Sequence, residues 1–342
     1  MAVASGCEIN ELAKAQSVPD SRPFISVVLP VYNGEKYLRQ SVDSVLSQEG
    51  ASFEFIIWDD QSTDASSRII DSYPDARLRR FTNATNLGLF RTLNRAINEA
   101  RGEWIRLWSQ DDVMKANCLR TESRFINEHP AVGMVYCAVD TIDEAGKVTL
   151  PAPHDPTPEI IPPELAAQIM FFHGSIAGNI ANVLLRRDVL AEVGLFREDM
   201  KISADFEMWV RVSGSYPIGH IREPLVDLRN HAGQFSRAQG SYVTSIGEDQ
   251  EIYRALMSRL PPEIVDYSRK YHRWHRGPMY WHHAVRCLIC HDLENASRSY
   301  QTVKGLGINP ILLAGFWLVT VNQRLYRVKP KYAGAFESSS AS

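Results

Sequence analysis

The stretch from Ile25 to Gly34, "ISVVLPVYNG", decides how the rest of the chain is read. Its β-branched and aliphatic run reads as a buried strand, and Asn33-Gly34 ends that strand in a turn. From Glu35 to Gln48, the apolar residues Leu38, Val42, Val45 and Leu46 recur on one helical face. Strand, turn and helix in that order make half of a βα repeat. The pattern then continues. Phe53 to Asp60 ("FEFIIWDD") is a second apolar strand, Ser62 is placed to cap a helix running to Tyr73, and Leu78 to Asn83 makes a third short strand. A helix over Leu89 to Ala100 stops at Arg101-Gly102 and feeds the strand that opens "WIRLWSQDD", Trp104 to Asp112.

Strands separated by helices of this length imply right-handed βαβ units and a largely parallel sheet covered on both faces. Such sheets bind ligands beyond the carboxyl ends of their strands. Asp59-Asp60 and Asp111-Asp112 each close an apolar strand, so the two acidic pairs are expected to converge on one rim.

Further along, Val132 to Ile142 reads as a strand closed by the turn Asp143 to Gly146, and Pro151 to Pro163 as a Pro-rich linker or flap. Helices are expected over Pro163 to Phe172, Arg187 to Val193 and Asp205 to Val212, followed by extended chain from Ile218 to Asn230. From about Tyr242, helical patterns rich in Tyr, Trp and His replace the alternation, which puts a boundary near Gln239-Gly240. The expected organisation is a flexible tail over 1–23, an α/β domain over 24–239, a helical region over 240–335 and a disordered tail over 336–342.

Composition narrows the function classes. With 342 residues, 44% of them hydrophobic, the chain can bury a substantial core. A formal charge of -3 provides no global positive field, which argues against nucleic acid as a partner. Five scattered cysteines do not look like a disulfide framework and fit a reducing cytosol. The first residues lack a signal-peptide pattern, although the segment before Cys7 loosely imitates a lipoprotein cleavage site.

Two adjacent carboxylates at a strand end repel each other unless a cation or hydrogen-bond donors neutralise them. Mg²⁺ or Mn²⁺ suits oxygen ligands, taking one or two protein carboxylates and completing its shell with water and phosphate oxygens. The bland alternative has Asp111 and Asp112 capping the next helix. No Gly-rich phosphate loop follows any expected strand, so neither a dinucleotide oxidoreductase nor a P-loop enzyme is supported.

Four segments in order, "SVVLPVYNGEKYLRQSVDSVLSQ", "FEFIIWDDQSTD", "NLGLFRTLNRAINEARGEWIRLWSQDD" and "ISADFEMWVRV", resemble the successive motifs of the inverting family 2 glycosyltransferases. The resemblance covers roughly Phe24 to Arg237. It implies an α/β GT-A fold, Rossmann-like, with a mostly parallel mixed sheet flanked by helices and an α-helical C-terminal region. It also implies site roles. Pro30, Val31, Tyr32 and Asn33 resemble the loop against the nucleotide base, Asp59 the carboxylate that hydrogen-bonds a uracil or similar base, and Asp111 the residue near the ribose. Asp112 matches the ligand of a Mn²⁺ or Mg²⁺ ion that bridges the diphosphate, and Asp205 matches the catalytic base. Arg229, His231 and Gln234 fall in the stretch near the diphosphate or acceptor. Two positions depart from the family pattern: Ser109 stands where many relatives carry Asp, and Ala204 where many carry Glu.

The expected activity is transfer of a sugar from a UDP- or dTDP-type donor to a saccharide or lipid-linked acceptor in surface polysaccharide synthesis. The setting would be the cytoplasm. A nucleotidyltransferase is a rival enzyme class and a degenerate sugar-binding scaffold a non-enzymatic one. As a structural alternative, Asp205 could serve only as the N-cap of its helix. Near the C-terminus, Cys287 to His291 matches C-x-x-C-H, for which helix core is a better account than haem or zinc. The uncharged run Leu306 to Val321, with its basic flank to Lys331, reads as a buried helix or as a peripheral contact at the inner face of the membrane through 306–331.

Overall fold

The computed structural model describes residues 24–234, 241–289 and 291–309. Four parallel strands form one half of the sheet: β1 (Ile25–Val31), β2 (Phe53–Asp59), β3 (Leu78–Thr82) and β4 (Trp104–Leu107), in the spatial order β3-β2-β1-β4. The other half is mixed. Next to β4 runs β9 (Val183–Arg186), antiparallel both to β4 and to β6 (Met134–Ile142), and β10 (Ile218–Arg229) then lies parallel to β6. Three short strands complete the edges: β5 (Val113–Met114) pairs with the end of β10, β7 (Val148–Leu150) with β6, and β8 (Ile160–Ile161) with the start of β10.

The sheet is covered on both faces because its strands alternate between two cores. Ile25, Val27, Leu29 and Val31 of β1 point to one side, where they meet Leu38, Val42 and Val45 of α1 (Leu38–Leu46) and Leu119 and Phe125 of α4 (Cys118–Glu128). Val28 and Ile56 point to the other side. There they meet α3 (Leu89–Glu99), α5 (Pro163–His173), α6 (Arg187–Val193) and α7 (Ala204–Val212). Burying one such side chain is worth roughly 1.5–3 kcal/mol, and each strand contributes several.

The one charged side chain in β4 is also explained. Arg106 is fully buried, with its Nε 2.8 Å from the Glu122 carboxylate of α4 and its guanidinium donating to the carbonyls of Leu107 and Ala181. A buried pair of this kind is tolerated only when its hydrogen bonds are satisfied.

Two sequence expectations are corrected. Ser62 does not cap the helix that follows, because α2 (Ser66–Asp71) begins later, after Ala65. Its hydroxyl instead donates to Asp59 Oδ1 at 2.5 Å and accepts the Asn33 N–H at 3.0 Å. The capping alternative for Asp111-Asp112 also fails, since α4 starts only at Cys118, behind Asn117. The antiparallel strand β9 was not foreseen. It is four residues long and runs straight into α6, so periodicity had nothing to separate.

In the C-terminal region, α8 (Ser241–Met257) and α9 (Pro262–Ile289) place Ile252, Tyr253, Leu256 and Ile264 in the same core as α5 and α7. These helices therefore complete the α/β core. α9 then pairs with α10 (Leu293–Gly305) around Tyr280, Val303 and Ile308. The expected boundary at Gln239-Gly240, the two tails, Cys290 and most of the run from Leu306 to Val321 with its basic flank lie outside the described residues. No helix among the described residues is long and apolar enough to cross a membrane.

Candidate active site

At the carboxyl ends of β1, β2 and β4, three loops are fastened into one rim. β1 ends with Val31 beside Asp59, and the chain then turns through Asn33, whose left-handed conformation (φ 49°) suits Asn. The Asn33 side chain accepts the Thr63 N–H at 2.8 Å, and the Gly34 N–H donates to Ser66 Oγ at 2.9 Å. Gln110 closes the third side. Its amide accepts the Tyr32 N–H at 2.9 Å and donates to the Tyr32 carbonyl at 3.1 Å. Gly34 leaves room for this clamp, since a Cβ would lie 2.6 Å from the Gln110 side-chain oxygen and displace the amide. The Tyr32 ring is left 47% exposed above the rim, where a planar base could lie against it.

In each acidic pair, the second residue is an anchor. Asp60 is buried, accepting Asn83 Nδ2 at 2.7 Å and the N–H groups of Leu87 and Gly88, both at 2.8 Å. Asp112 is equally buried. Its Oδ1 accepts the Arg229 N–H at 2.8 Å and its Oδ2 the Ser109 hydroxyl at 2.8 Å, which ties β4 to the end of β10. The first residues are engaged differently. Asp59 binds the Ser62 N–H and hydroxyl through Oδ1 alone, and Asp111 is partly exposed, with Oδ2 2.9 Å from His231 Nε2.

The Asp111-Asp112 pair is short of positive charge. Burial first, and then the neighbouring Asp111 carboxylate, push the Asp112 carboxyl well above the usual carboxylate range. Ser109 Oγ contacts both carboxylates but has a single proton to give. Arg229 supplies charge only from behind. It is buried over the Tyr37 ring, and its guanidinium donates to the carbonyls of Asp111, Asp143 and Glu144 and to Gln40. Gln234 Nε2 in turn donates to the Arg229 carbonyl. Of the three candidates on this segment, His231 is the one whose side chain reaches a carboxylate oxygen of the acidic pair, while the Arg229 side chain meets only the Asp111 backbone.

Asp205 stands apart from this network, in the first turn of α7. It is not the N-cap, a position held by Ser203, and among the described residues its Oδ1 accepts the adjacent Phe206 N–H at 2.7 Å. Burial pushes its carboxyl up to about 6. The segment leading to it is anchored by Asn94 of α3, which donates to the Phe196 carbonyl at 2.8 Å and accepts the Phe196 N–H at 3.0 Å. Glu248 of α8 accepts the N–H groups of Lys201, Ile202 and Ser203. Gln110, Asn94 and Glu248 were not singled out from the sequence. Gln110 lies inside a quoted motif, but Glu248 is 46 residues from its Ile202 partner and carries no pattern.

Among the described residues, no group of three or more His, Cys, Asp or Glu side chains is gathered to hold a metal by itself. An acidic pair with one carboxylate buried, the other partly exposed and a single hydroxyl proton between them does fit an ion that takes its remaining ligands from phosphate oxygens.

Residues 26–194 match the family model for glycosyl transferase family 2. An uncharacterised glycosyltransferase of Rickettsia prowazekii is 26% identical over 243 residues, covering 70% of this chain and 74% of that protein. Among solved structures, residues 1–349 of S. aureus TarS in complex with UDP-GlcNAc superpose with a TM-score of 0.54 at 18% identity, covering 82% of this chain and 91% of that one. The mannosyltransferase PcManGT from Pyrobaculum calidifontis, in complex with GDP-Man and Mn²⁺, gives a TM-score of 0.51 at 18% identity, covering 90% of this chain and 82% of that one. At these identities the two structures show the shared fold.

Proposed function

Because the chain belongs to glycosyl transferase family 2, we propose that it transfers a sugar, with inversion, from a nucleoside diphosphate donor seated on the rim to a hydroxyl group of a saccharide or lipid-linked acceptor. The observation that carries this reading is the rim itself: an exposed aromatic ring, a carboxylate beside it and an acidic pair on the adjoining loop, fastened together through Gln110 and Ser62.

In this reading, Pro30 to Asn33 and Asp59 hold the base, Asp59 through the oxygen that Ser62 leaves unengaged. Asp111 and Asp112 would hold Mn²⁺ or Mg²⁺, which when bound supplies Lewis-acid stabilisation of the departing diphosphate. Asp111 is the more exposed of the two, so we assign it the outward-facing oxygen and Asp112 the supporting role behind it. His231 orients Asp111, and Gln234 steadies the segment that carries Arg229.

Asp205 acts on the acceptor. A sugar hydroxyl is a weak nucleophile, so Asp205 takes its proton as the oxygen bonds to the anomeric carbon. The bond from that carbon to the phosphate oxygen breaks on the opposite face, which inverts the centre and releases the nucleoside diphosphate. A carboxyl raised by burial to about 6 is a stronger base than an ordinary carboxylate, which suits it to take a proton. The donor in this reading is of the UDP or dTDP type, and the product belongs to cell-surface polysaccharide or lipopolysaccharide.

A thermal-shift screen of UDP-, dTDP- and GDP-sugars with and without Mn²⁺ tests the reading, because a ligand that binds the folded state raises its stability by mass action. The expected result is a rise of melting temperature with one base class, larger when Mn²⁺ is present. No shift with any of the three classes would overturn the reading.

A further inference from the structure

The turn ahead of α7 is built without a cap from its own sequence, since Ser203 makes no side-chain capping hydrogen bond. Its donors are satisfied from another part of the chain. The N–H groups of Lys201, Ile202 and Ser203 converge on the Glu248 carboxylate at 2.7, 3.1 and 2.7 Å. The next residue on α8, Asp249, accepts the Ser203 hydroxyl at 3.4 Å.

α8 is itself braced. Tyr253 packs edge-on against Phe206, the residue after Asp205, and against Phe171 of α5, while Arg276 of α9 lies over the Tyr253 ring at 4.5 Å. Asp205 has no side-chain partner among the described hydrogen bonds, so its position follows the backbone of this turn.

We propose that Glu248 is a positioning residue for the transfer reaction, a carboxylate from the C-terminal helices that locks the backbone presenting Asp205. The proposal rests on the reading of Asp205 as the base. Three charge-assisted hydrogen bonds to one carboxylate fix the backbone more tightly than a neutral cap would. The work of the C-terminal helices is then to complete the acceptor side of the site.

Among the described residues, the charged groups acting on this corner are Asp205, Glu248 and Asp249, with Arg276 of α9 acting on Asp249, while Glu207 pairs with Arg211 along α7 itself. The Glu248 charge raises Asp205, so removing it favours the ionised base. The base works when ionised, so its acidic limb should move to lower pH.

The test uses the full chain with Glu248→Ala, Glu248→Gln and Asp205→Asn. It reads nucleoside diphosphate release across the sugar nucleotide panel, melting temperature, and the Asp205 carboxyl titration by carbon NMR. Glu248→Ala should lower kcat about 10- to 100-fold, as misplacement of a catalytic group by about 1 Å does, with the donor KM unchanged. Glu248→Gln keeps an acceptor oxygen, so it should lose less activity and titrate Asp205 at lower pH. Wild-type kcat in Glu248→Ala would overturn the proposal. So would an unmoved Asp205 titration in Glu248→Gln, which needs only a folded protein. An inactive Asp205→Asn beside a fully active Glu248→Ala removes this proposal alone, whereas an active Asp205→Asn removes the base reading beneath it.

Discussion

The acidic turn that ends β4 and the acidic turn that opens α7 hold their carboxylates by opposite means. At the first, the carboxylates of Asp111 and Asp112 are themselves met by the Ser109 hydroxyl, the Arg229 N–H and the His231 ring. At the second, the described partner of the Asp205 carboxylate is one adjacent N–H, and it is the backbone of the turn that is held, by Glu248 of α8. The first is a rigid acidic cradle suited to binding. The second leaves a carboxyl raised by burial and free to take a proton. In the proposed reading binding and chemistry are carried by separate supports, and substitutions should separate them.

The largest effect should come from Asp205→Asn. Loss of a general base removes about 10²–10⁴-fold from the rate, and here donor binding should survive, which calorimetry against single-turnover transfer can show. Loss of both together would merge the two regions and break the comparison.

Within the cradle, Asp111 and Asp112 should behave differently. Asp111→Ala should weaken Mn²⁺-dependent nucleoside diphosphate binding by about 10–100-fold or more, with little loss of melting temperature. Asp112→Ala leaves the buried Arg229 N–H without its partner and should cost about 1–3 kcal/mol of stability, measurable by denaturant unfolding. Equal stability loss in the two variants would contradict the division into outward ligand and anchor.

Gln110→Ala should have the smallest effect. It removes a two-way amide clamp on Tyr32, worth about 1 kcal/mol, and should loosen donor binding without lowering the rate of bound donor. A fall in that rate instead would extend the rim into the chemistry.

The sequence carried the parallel half of the fold chiefly through Ile25–Val31 and Phe53–Asp59, largely apolar runs that each end in a turn, whereas Leu78–Thr82 is short and carries two arginines. It carried the mixed half less well. Val183–Arg186 is too short to show a period, and its antiparallel pairing depends on partners far along the chain.

The site shows the same division. Asp59, Asp111, Asp112 and Asp205 stand out as carboxylates at element ends, but spacing could not tell that Asp59 and Asp60 are both buried whereas of Asp111 and Asp112 only the second is. Nor could it show that Arg229 turns inward onto backbone carbonyls. Glu248 was invisible because its role comes from three N–H groups on another segment, and backbone donors leave no trace in side-chain identity.

The most direct test of this separation is calorimetric titration of the wild type, Asp111→Ala and Asp205→Asn with the nucleoside diphosphate of the donor class found by thermal shift, with and without Mn²⁺. The account predicts Mn²⁺-enhanced binding at one site in the wild type, undiminished in Asp205→Asn and lost in Asp111→Ala. Undiminished Mn²⁺-dependent binding in Asp111→Ala, or its loss in Asp205→Asn, would contradict it.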